Sequence, residues 1–294
     1  MEIKYIDRAT GEIQTENPPA VGLLNFLYSN PLGKKALLPL VKQKFISEIY
    51  GKQMDKAAST GKIQDFVEEL DIDMTESQKS ISDFSSFNDF FYRKLKPEAR
   101  PIAEGFVAPG DGRFLAFERI SDLQYFFVKG EAFTLTAFLD DATLAEKYQD
   151  AALLILRLAP NDYHRFHFPY DGIPSPINKI KGSYYSVSPY AVARNFVRVF
   201  CQNKREFCLL ETKKIGTVLI APVGATMVGS IIETYSPNKA IQKGDEMGYF
   251  AFGGSSIVLL VDKNKLRIDA DLIKNTRNGM ETFVKMGEQI GQPL

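Results

Sequence analysis

One stretch of the chain places a hydroxyl nucleophile directly beside a carbonyl group that it could attack. It is Gly253-Gly254-Ser255-Ser256, and the apolar residues 257–261 follow at once. Glycine lets another group approach the Gly254 carbonyl without meeting a Cβ atom. A deprotonated Ser255 oxygen could attack that carbonyl carbon, and β-elimination from the resulting ester would break the chain. The new N-terminus would hydrolyse to a pyruvoyl group. The same residues also fit an ordinary turn before a buried strand.

The remaining groups of a serine-activating site lie elsewhere in the chain. Its two histidines, His164 and His167, are three residues apart. They follow turn residues, so we predict one helical turn that points both rings the same way. Asp111 stands between two glycines after a proline. A nucleophile, an imidazole base and an orienting carboxylate are the three groups that activate a serine hydroxyl. The sequence supplies all three types.

A metal site is the alternative use of the two histidines. Asp162 or Asp171 could complete a small set of ligands with His164 and His167. Their spacing fits no helical zinc motif, and the chain has only two cysteines, so we predict no metal.

Composition excludes several classes of protein. The chain has 294 residues, enough for one large domain or two smaller ones. Lysine plus arginine and aspartate plus glutamate both total 36, so nothing in the bulk charge favours nucleic acid as a partner. We expect no signal peptide, because the first residues lack an apolar core, and no membrane-spanning helix, because no apolar stretch is about 20 residues long.

The N-terminal third favours helices after a short hairpin over residues 1–16. Helical spacing of apolar residues runs over about 18–54, 61–70 and 84–94. The second part of the first segment carries lysines that could lie near anionic headgroups while its apolar side enters the acyl chains; they are Lys34, Lys35, Lys42 and Lys44. Packing within its own domain is the other interpretation of this segment. Prolines near residue 97 predict a boundary there.

Beyond this boundary the pattern is that of short strands separated by Gly and Pro turns. We predict strands over 114–120, 125–128, 152–158, 183–187, 196–201, 207–211, 217–221 and 256–261. Apolar segments and glycine turns from 218 to 250 are typical of a small closed barrel of hairpins. The predicted fold class is α+β: a helical, membrane-docking region over residues 1–96, then a mostly antiparallel β-rich catalytic domain over 97–294 with a small barrel-like core.

Taken together, these motifs resemble the phosphatidylserine decarboxylases, which depend on a pyruvoyl group and mature by cutting themselves. The resemblance covers about residue 87 to the C-terminus. The motifs that carry it are Phe90-Phe91-Tyr92-Arg93-Lys94-Leu95-Lys96-Pro97, residues 109–113, Asp162-Tyr163-His164-Arg165-Phe166-His167, Val223-Gly224-Ala225 with residues 228–231, and Gly253-Gly254-Ser255-Ser256.

The resemblance implies a role for each residue of the site. Asp111, His167 and Ser255 would form the self-cleaving triad, and the bond between Gly254 and Ser255 would be cut. The products would be a large β chain of residues 1–254 and a small α chain of residues 255–294. His164 would serve decarboxylation. A pyruvoyl group derived from Ser255 would be the cofactor.

The implied reaction converts phosphatidylserine to phosphatidylethanolamine and CO₂ through a Schiff base with that group. The implied partners are phosphatidylserine in an anionic membrane and the two chains for each other, and a homodimer is allowed. The implied location is peripheral, on the cytoplasmic face of the cell membrane. Two other classes stay open on the residues alone. One is a serine hydrolase acting in trans, and the other is a noncatalytic module resembling barrels that carry lipoyl or biotinyl groups.

Overall fold

A computed structural model of the chain describes residues 3–16, 51–123, 134–182, 200–224, 231–251 and 255–294. Strands predominate in these ranges: β1 (Ile3–Asp7), β2 (Ile13–Glu16), β3 (Phe106–Val107), β4 (Gly112–Phe117), β5 (Ala152–Leu158), β6 (Arg165–His167), β7 (Ile173–Pro174), β8 (Asn178–Ile180), β9 (Arg205–Glu211), β10 (Thr217–Gly224), β11 (Ile231–Glu233), β12 (Glu246–Phe250), β13 (Ser255–Val261), β14 (Leu266–Ile268), β15 (Glu281–Val284) and β16 (Gln289–Pro293).

The described helices are short. The α-helices are α1 (Ile63–Glu69), α2 (Phe87–Phe91), α3 (Leu135–Leu139), α4 (Ala142–Lys147) and α5 (Ala270–Arg277). Single turns of 3₁₀ helix lie at Ala57–Lys62, Met74–Glu76, Ile81–Asp83, Pro97–Ala99 and Ile120–Asp122.

A large, mostly antiparallel sheet organises the described part of the chain. Its strands follow the order β2-β1-β15-β4-β5-β13-β10-β9-β7, and β8 also pairs with β9. Only the pairing of β1 with β15 is parallel among these described strands. Every residue of β5 and β13 is buried. Their continuous apolar runs are typical of strands covered on both faces, and they form the middle of the core.

Two smaller sheets accompany the large one, in the orders β11-β12-β6 and β14-β16-β3. The prediction of a closed barrel is wrong for the described residues, because the large sheet is open and its path ends at β2 and β7. The segments expected to close the barrel are divided between two sheets. Tyr249 of β12 pairs with Arg165 of β6 instead of with β13. This pairing depends on a strand about 80 residues away, which local glycine turns do not reveal.

The predicted strands agree with the structure where apolar runs were longest. Strand β5 has the predicted bounds, and β4, β9, β10 and β13 overlap the segments predicted for them. The segments predicted at 125–128 and 183–187 lie outside the described residues. Most of the segment predicted at 196–201 lies outside them too, and its last two residues are helical.

The N-terminal hairpin is confirmed as β1 and β2, and it joins the large sheet through β15. The helix predicted over 61–70 is α1. The helix predicted over 84–94 is only α2, because the Ser86 side chain caps its start and Tyr92 leaves helical geometry at its end. Most of the helical segment predicted over 18–54, with its four lysines, lies outside the described residues.

The phenylalanines in and next to α2 belong to the core. Phe84, Phe87, Phe90 and Phe91 are buried in a cluster with Met54, Ile63 and Ile72. This cluster is distinct from the core of the large sheet. Phe91 extends from the cluster to the ring of His164, so α2 connects the N-terminal part to the candidate site.

Candidate active site

Ser255 is the first residue of β13 and lies inside the large sheet. It is opposite Gly224 of β10 and Leu158 of β5, and its side chain is fully buried. Its Oγ atom has no hydrogen-bond partner among the described residues, a condition that it shares with the Oγ of Ser256. Leaving a buried hydroxyl without a partner costs about 1–3 kcal/mol. Such a group in a native structure needs an explanation, and a reactive role is one.

The two histidines do not share a helical turn, which corrects the sequence prediction. Arg165–His167 is strand β6, and His164 precedes it. The reason is tertiary: the backbone of β6 pairs with β12, and this ladder overrides the local turn residues. In extended backbone, residues three apart point to opposite sides. The two rings therefore have different surroundings.

The ring of His167 is held as a neutral base. Its Nδ1 lies 2.9 Å from the carbonyl oxygen of Gly244, and its Nε2 lies 3.2 Å from the hydroxyl of Tyr163. A carbonyl can only accept, so Nδ1 carries the proton and Nε2 accepts from Tyr163. Burial lowers the pKa of His167, while the Gly244 carbonyl and the charge of Asp111 act in the opposite direction. The basic nitrogen is thus Nε2.

Asp111 is buried and fixed mainly by Arg100. The Arg100 Nε donates to its Oδ1 at 2.9 Å, the Arg100 Nη2 donates to its Oδ2 at 2.6 Å, and the backbone N–H of Met286 donates to its Oδ1 at 2.8 Å. The same Nη2 also donates to Glu76. The backbone N–H of His167 donates to the Pro109 carbonyl at 2.7 Å. Asp111 is therefore two residues from the carbonyl that binds the His167 backbone. The His167 ring itself donates to the Gly244 carbonyl and accepts from the Tyr163 hydroxyl.

His164 lies in a dry, aromatic environment. Its ring is completely buried and stacks on Phe91, with 3.9 Å between ring centres. Neither ring nitrogen has a hydrogen-bond partner among the described residues. Burial lowers the pKa of His164 to about 3, and the charge of Arg93 adds to this effect, although backbone groups of Ala159 and Pro160 oppose it. The ring is neutral at physiological pH.

A buried ionic network lies beside the site. Arg113 contacts Asp162 and also approaches Glu16 at 3.2 Å, and Arg157 binds Glu16 and Glu281 at 2.6 Å. Burial raises the pKa of Asp162 to about 6, although Arg113 acts in the opposite direction. Asp162 therefore forms an ion pair with Arg113. Within the described residues no group of three His, Cys, Asp or Glu side chains could hold a metal ion.

Sequence reasoning missed four residues that position this site. They are Arg93, Arg100, Tyr163 and Gly244. Arg93 and Tyr163 stand within the motifs quoted above, and Arg100 lies three residues after the motif that ends at Pro97. Their presence was visible, but their partners were not, because each contact joins residues distant in sequence or depends on burial.

Folding stability is expected to fall as the pH drops below about 6.5, in part because of His164. Its pKa is 6.5 when unperturbed and about 3 in the folded chain, so between these values only the unfolded chain takes up the proton. Replacing His164 by Phe in an uncut Ser255→Ala background should remove about 2 kcal/mol of the stability difference between pH 7 and pH 5. Urea denaturation at both pH values measures it.

Asp162→Asn is the control with the opposite sign. The raised pKa of Asp162 means that the folded chain binds the extra proton between about 3.8 and 6, which favours folding at pH 5 relative to pH 7. Replacing this carboxyl group by an amide should increase the loss of unfolding free energy between pH 7 and pH 5 by about 1 kcal/mol. If His164→Phe leaves the difference in unfolding free energy between pH 7 and pH 5 unchanged, the His164 ring is not buried in its neutral form.

Fold and site define a β-rich protein with a buried serine at a strand start and two histidines in unlike surroundings. Residues 87–292 match the family model described as phosphatidylserine decarboxylase. The chain belongs to the phosphatidylserine decarboxylase family and is an enzyme of the carboxy-lyase class.

Curated relatives agree along almost the whole chain, and each carries the name phosphatidylserine decarboxylase proenzyme. The protein from Fusobacterium nucleatum is 53% identical over 293 residues, covering 99% of this chain and 97% of the relative. The protein from Desulfitobacterium hafniense strain DCB-2 is 44% identical over 292 residues, covering 98% of each. The protein from Clostridium botulinum strain Alaska E43 is 44% identical over 295 residues, covering 99% of each.

Proposed function

We propose that this chain decarboxylates phosphatidylserine to phosphatidylethanolamine and CO₂ with a pyruvoyl group that it makes from its own Ser255. The observation that carries the proposal is the buried Ser255 Oγ, which has no partner among the described residues and directly follows Gly253-Gly254. Membership of the family and the proenzyme name of the relatives support it. A hydroxyl without a hydrogen bond is free to attack the neighbouring carbonyl, because no existing contact has to be broken first.

Self-cleavage begins with transfer of the Ser255 hydroxyl proton. We assign the accepting atom as His167 Nε2, which must exchange its contact with Tyr163 for one with the serine. The Ser255 oxygen then bonds to the Gly254 carbonyl carbon, and the C–N bond breaks to leave an ester and a free amine. Asp111 has a supporting role here, because its charge acts to raise the pKa of His167 and so favours the protonated ring.

The second stage breaks the covalent link between the two chains. Removal of the Ser255 α-proton drives out the ester oxygen, so the Cβ–O bond breaks and Gly254 keeps both oxygens as a carboxylate. The remaining dehydroalanine takes up water and loses ammonia, which leaves a pyruvoyl group. That group supplies a carbonyl that condenses with the substrate amine and withdraws the electron pair left by CO₂.

His164 is assigned to the proton that must reach the substrate carbon. In the structure its ring is neutral, since burial and Arg93 hold its pKa at about 3. An anionic substrate beside the ring would favour the protonated form. His164 would then donate that proton at the carbon from which CO₂ has left.

The two chains are proposed to remain together after the cut. Residues 255–294 contain β13, which lies between β5 and β10, and β15, which lies between β1 and β4. Separating the chains would expose the buried faces of these strands and break several backbone ladders.

Mass spectrometry of the purified protein tests the proposal. We expect a fragment of residues 1–254 and a fragment of residues 255–294 that begins with a pyruvoyl group. An intact folded chain that a fluorophosphonate labels at Ser255 would indicate a serine hydrolase. An intact, unlabelled chain would indicate a noncatalytic module. Either result would refute self-cleavage.

We further propose that the enzyme docks peripherally on anionic membrane at the cytoplasmic face. Among the described residues no helix is long and apolar enough to cross a bilayer. The substrate has two acyl chains and stays in the membrane, so the enzyme must approach it there. Liposome co-sedimentation tests this. Changing Lys34, Lys35, Lys42 and Lys44 to Gln should weaken binding at low salt, by roughly 1 kcal/mol for each lysine near the surface.

Equal sedimentation of the two proteins at low salt would contradict the lysine contribution. Light scattering on the same samples distinguishes a monomer from the homodimer that the family resemblance allows.

A further inference from the structure

Arg93 is a buried cation that has no carboxylate partner among the described residues. Its side chain belongs to a residue that is only 6% exposed, and its Nε atom has no hydrogen-bond partner among the described residues. Its Nη2 donates a single long hydrogen bond, of 3.4 Å, to the Asn161 carbonyl. The guanidinium lies 5.2 Å from the centre of the Phe90 ring. These contacts leave most of its donors unused.

The other buried arginines of the described chain have carboxylate or carbonyl partners, although the Nε atom of Arg113, like that of Arg93, makes no hydrogen bond there. Four have carboxylate partners, in the pairs Arg100–Asp111, Arg113–Asp162, Arg157–Glu281 and Arg165–Glu246. Arg205 has no such pair but donates to the carbonyls of Phe138, Asn203 and Ala137. Among the buried arginines of the described residues, Arg93 is therefore the one that has neither a carboxylate partner nor a set of carbonyl acceptors.

Nearby acids do not compensate for its charge. Asp111 and Asp162 act on Arg93 electrostatically, but Asp111 is bound to Arg100 and Asp162 to Arg113. Removing a cation from water without pairing it costs several kcal/mol. Arg93 is thus in a setting that a bound anion would stabilise.

The position of Arg93 connects it to the reacting groups. It follows α2, whose Phe91 stacks on His164. Its positive charge also contributes to the lowered pKa of His164. Its contact Asn161 lies in the loop that leaves β5 just after Leu158, the residue opposite Ser255. An anion bound at Arg93 would therefore lie at the end of the sheet where Ser255 and His164 are found.

We propose that Arg93 binds the phosphodiester of the phospholipid headgroup, an inference that rests on the proposed function. The substrate has two anionic groups, a carboxylate and a phosphodiester. The carboxylate loses its charge as it leaves as CO₂, so an arginine bound to it would stabilise the substrate more than the transition state. The phosphodiester keeps its charge throughout. A planar guanidinium with free donors suits it well.

The test compares three soluble probes in the full-length Ser255→Ala chain with and without Arg93→Met. Glycerophosphoethanolamine carries only the phosphodiester, O-methylserine carries only the carboxylate, and glycerophosphoserine carries both. Ligand-observed NMR titration gives the affinities. Loss of Arg93 should weaken both phosphodiester probes by about 10- to 100-fold and leave O-methylserine unchanged.

Four results would overturn the assignment. They are no binding of glycerophosphoethanolamine to the parent chain, equal binding with and without Arg93, weakening of O-methylserine alone, and equal weakening of all three probes. Because the Ser255→Ala chain cannot mature, the measured affinities do not depend on the pyruvoyl group. Failure of the wild-type chain to cleave itself would refute the proposed function. If the wild-type chain does cleave itself but Arg93→Met leaves the probe affinities of the Ser255→Ala chain unchanged, only the role of Arg93 is refuted.

Two further variants separate binding from folding. Arg205→Met removes another buried guanidinium and should lower the unfolding temperature without changing the relative affinities of the probes. Arg93→Lys keeps the positive charge and a long side chain. It replaces Arg93→Met in the test if Arg93→Met does not fold. It should retain part of the phosphodiester affinity, and full loss or full retention of that affinity in folded Arg93→Lys would contradict a guanidinium-specific contact.

Discussion

The Ser255→Ala protein is expected to remain a single chain of intact mass and to have no decarboxylase activity. The methyl group cannot attack the Gly254 carbonyl, so neither the cut nor the pyruvoyl group can form. The fold should survive, since the Ser255 Oγ has no hydrogen-bond partner among the described residues to lose. Intact-mass measurement and CO₂ release from phosphatidylserine vesicles give the two readouts.

Ser256→Ala is the matched control. Ser256 is the next residue of β13, and its Oγ is equally buried and without a partner in the described chain. Successive residues of a strand point to opposite faces, so the Ser256 hydroxyl should be dispensable for the cut. Cleavage in Ser255→Ala, or equal failure of both variants, would disprove the assignment of the nucleophile.

Replacing the two histidines is expected to stop the pathway at two different stages. His167→Ala should slow self-cleavage by about 10²- to 10⁴-fold, because a positioned general base contributes that much to a rate. His164→Ala should still be cut but should lose decarboxylation by a similar factor. A time course of chain masses reports the first stage, and CO₂ release by chains already cut reports the second.

His164→Gln should accompany the alanine variant. The His164 ring is fully buried against Phe91, so truncation to alanine leaves a cavity that could impair folding. Glutamine keeps more of the volume but cannot serve as the proton donor. If variants at both positions fail at the same stage while remaining folded, the two histidines do not divide the work as proposed.

The sequence by itself specified the strongly apolar elements and the reactive residue types. Strand β5 was predicted with its observed bounds, since seven residues that are nearly all apolar have few alternatives to a strand buried on both faces. The N-terminal hairpin followed from its turn residues. Ser255, both histidines and Asp111 were identified because their types and neighbours suit one chemistry, and the family resemblance assigned each a role.

Only the tertiary structure decided how those elements pair. Turn residues end at Asp162 and two histidines at helical spacing follow them, yet β6 is extended because its backbone pairs with β12. The same pairing opens the predicted barrel. Strand pairing depends on partners far along the chain, and one sequence does not contain that information in its local pattern.

The partners of the charged groups were also decided only in three dimensions. Asp111 was expected to serve His167, and the structure binds it to Arg100, 11 residues away, and to the backbone of Met286, 175 residues away. Arg93 is visible in the sequence as one basic residue among many. Its significance arises from burial without a carboxylate partner among the described residues, because the free energy of a charge depends on what surrounds it and not on its place in the chain.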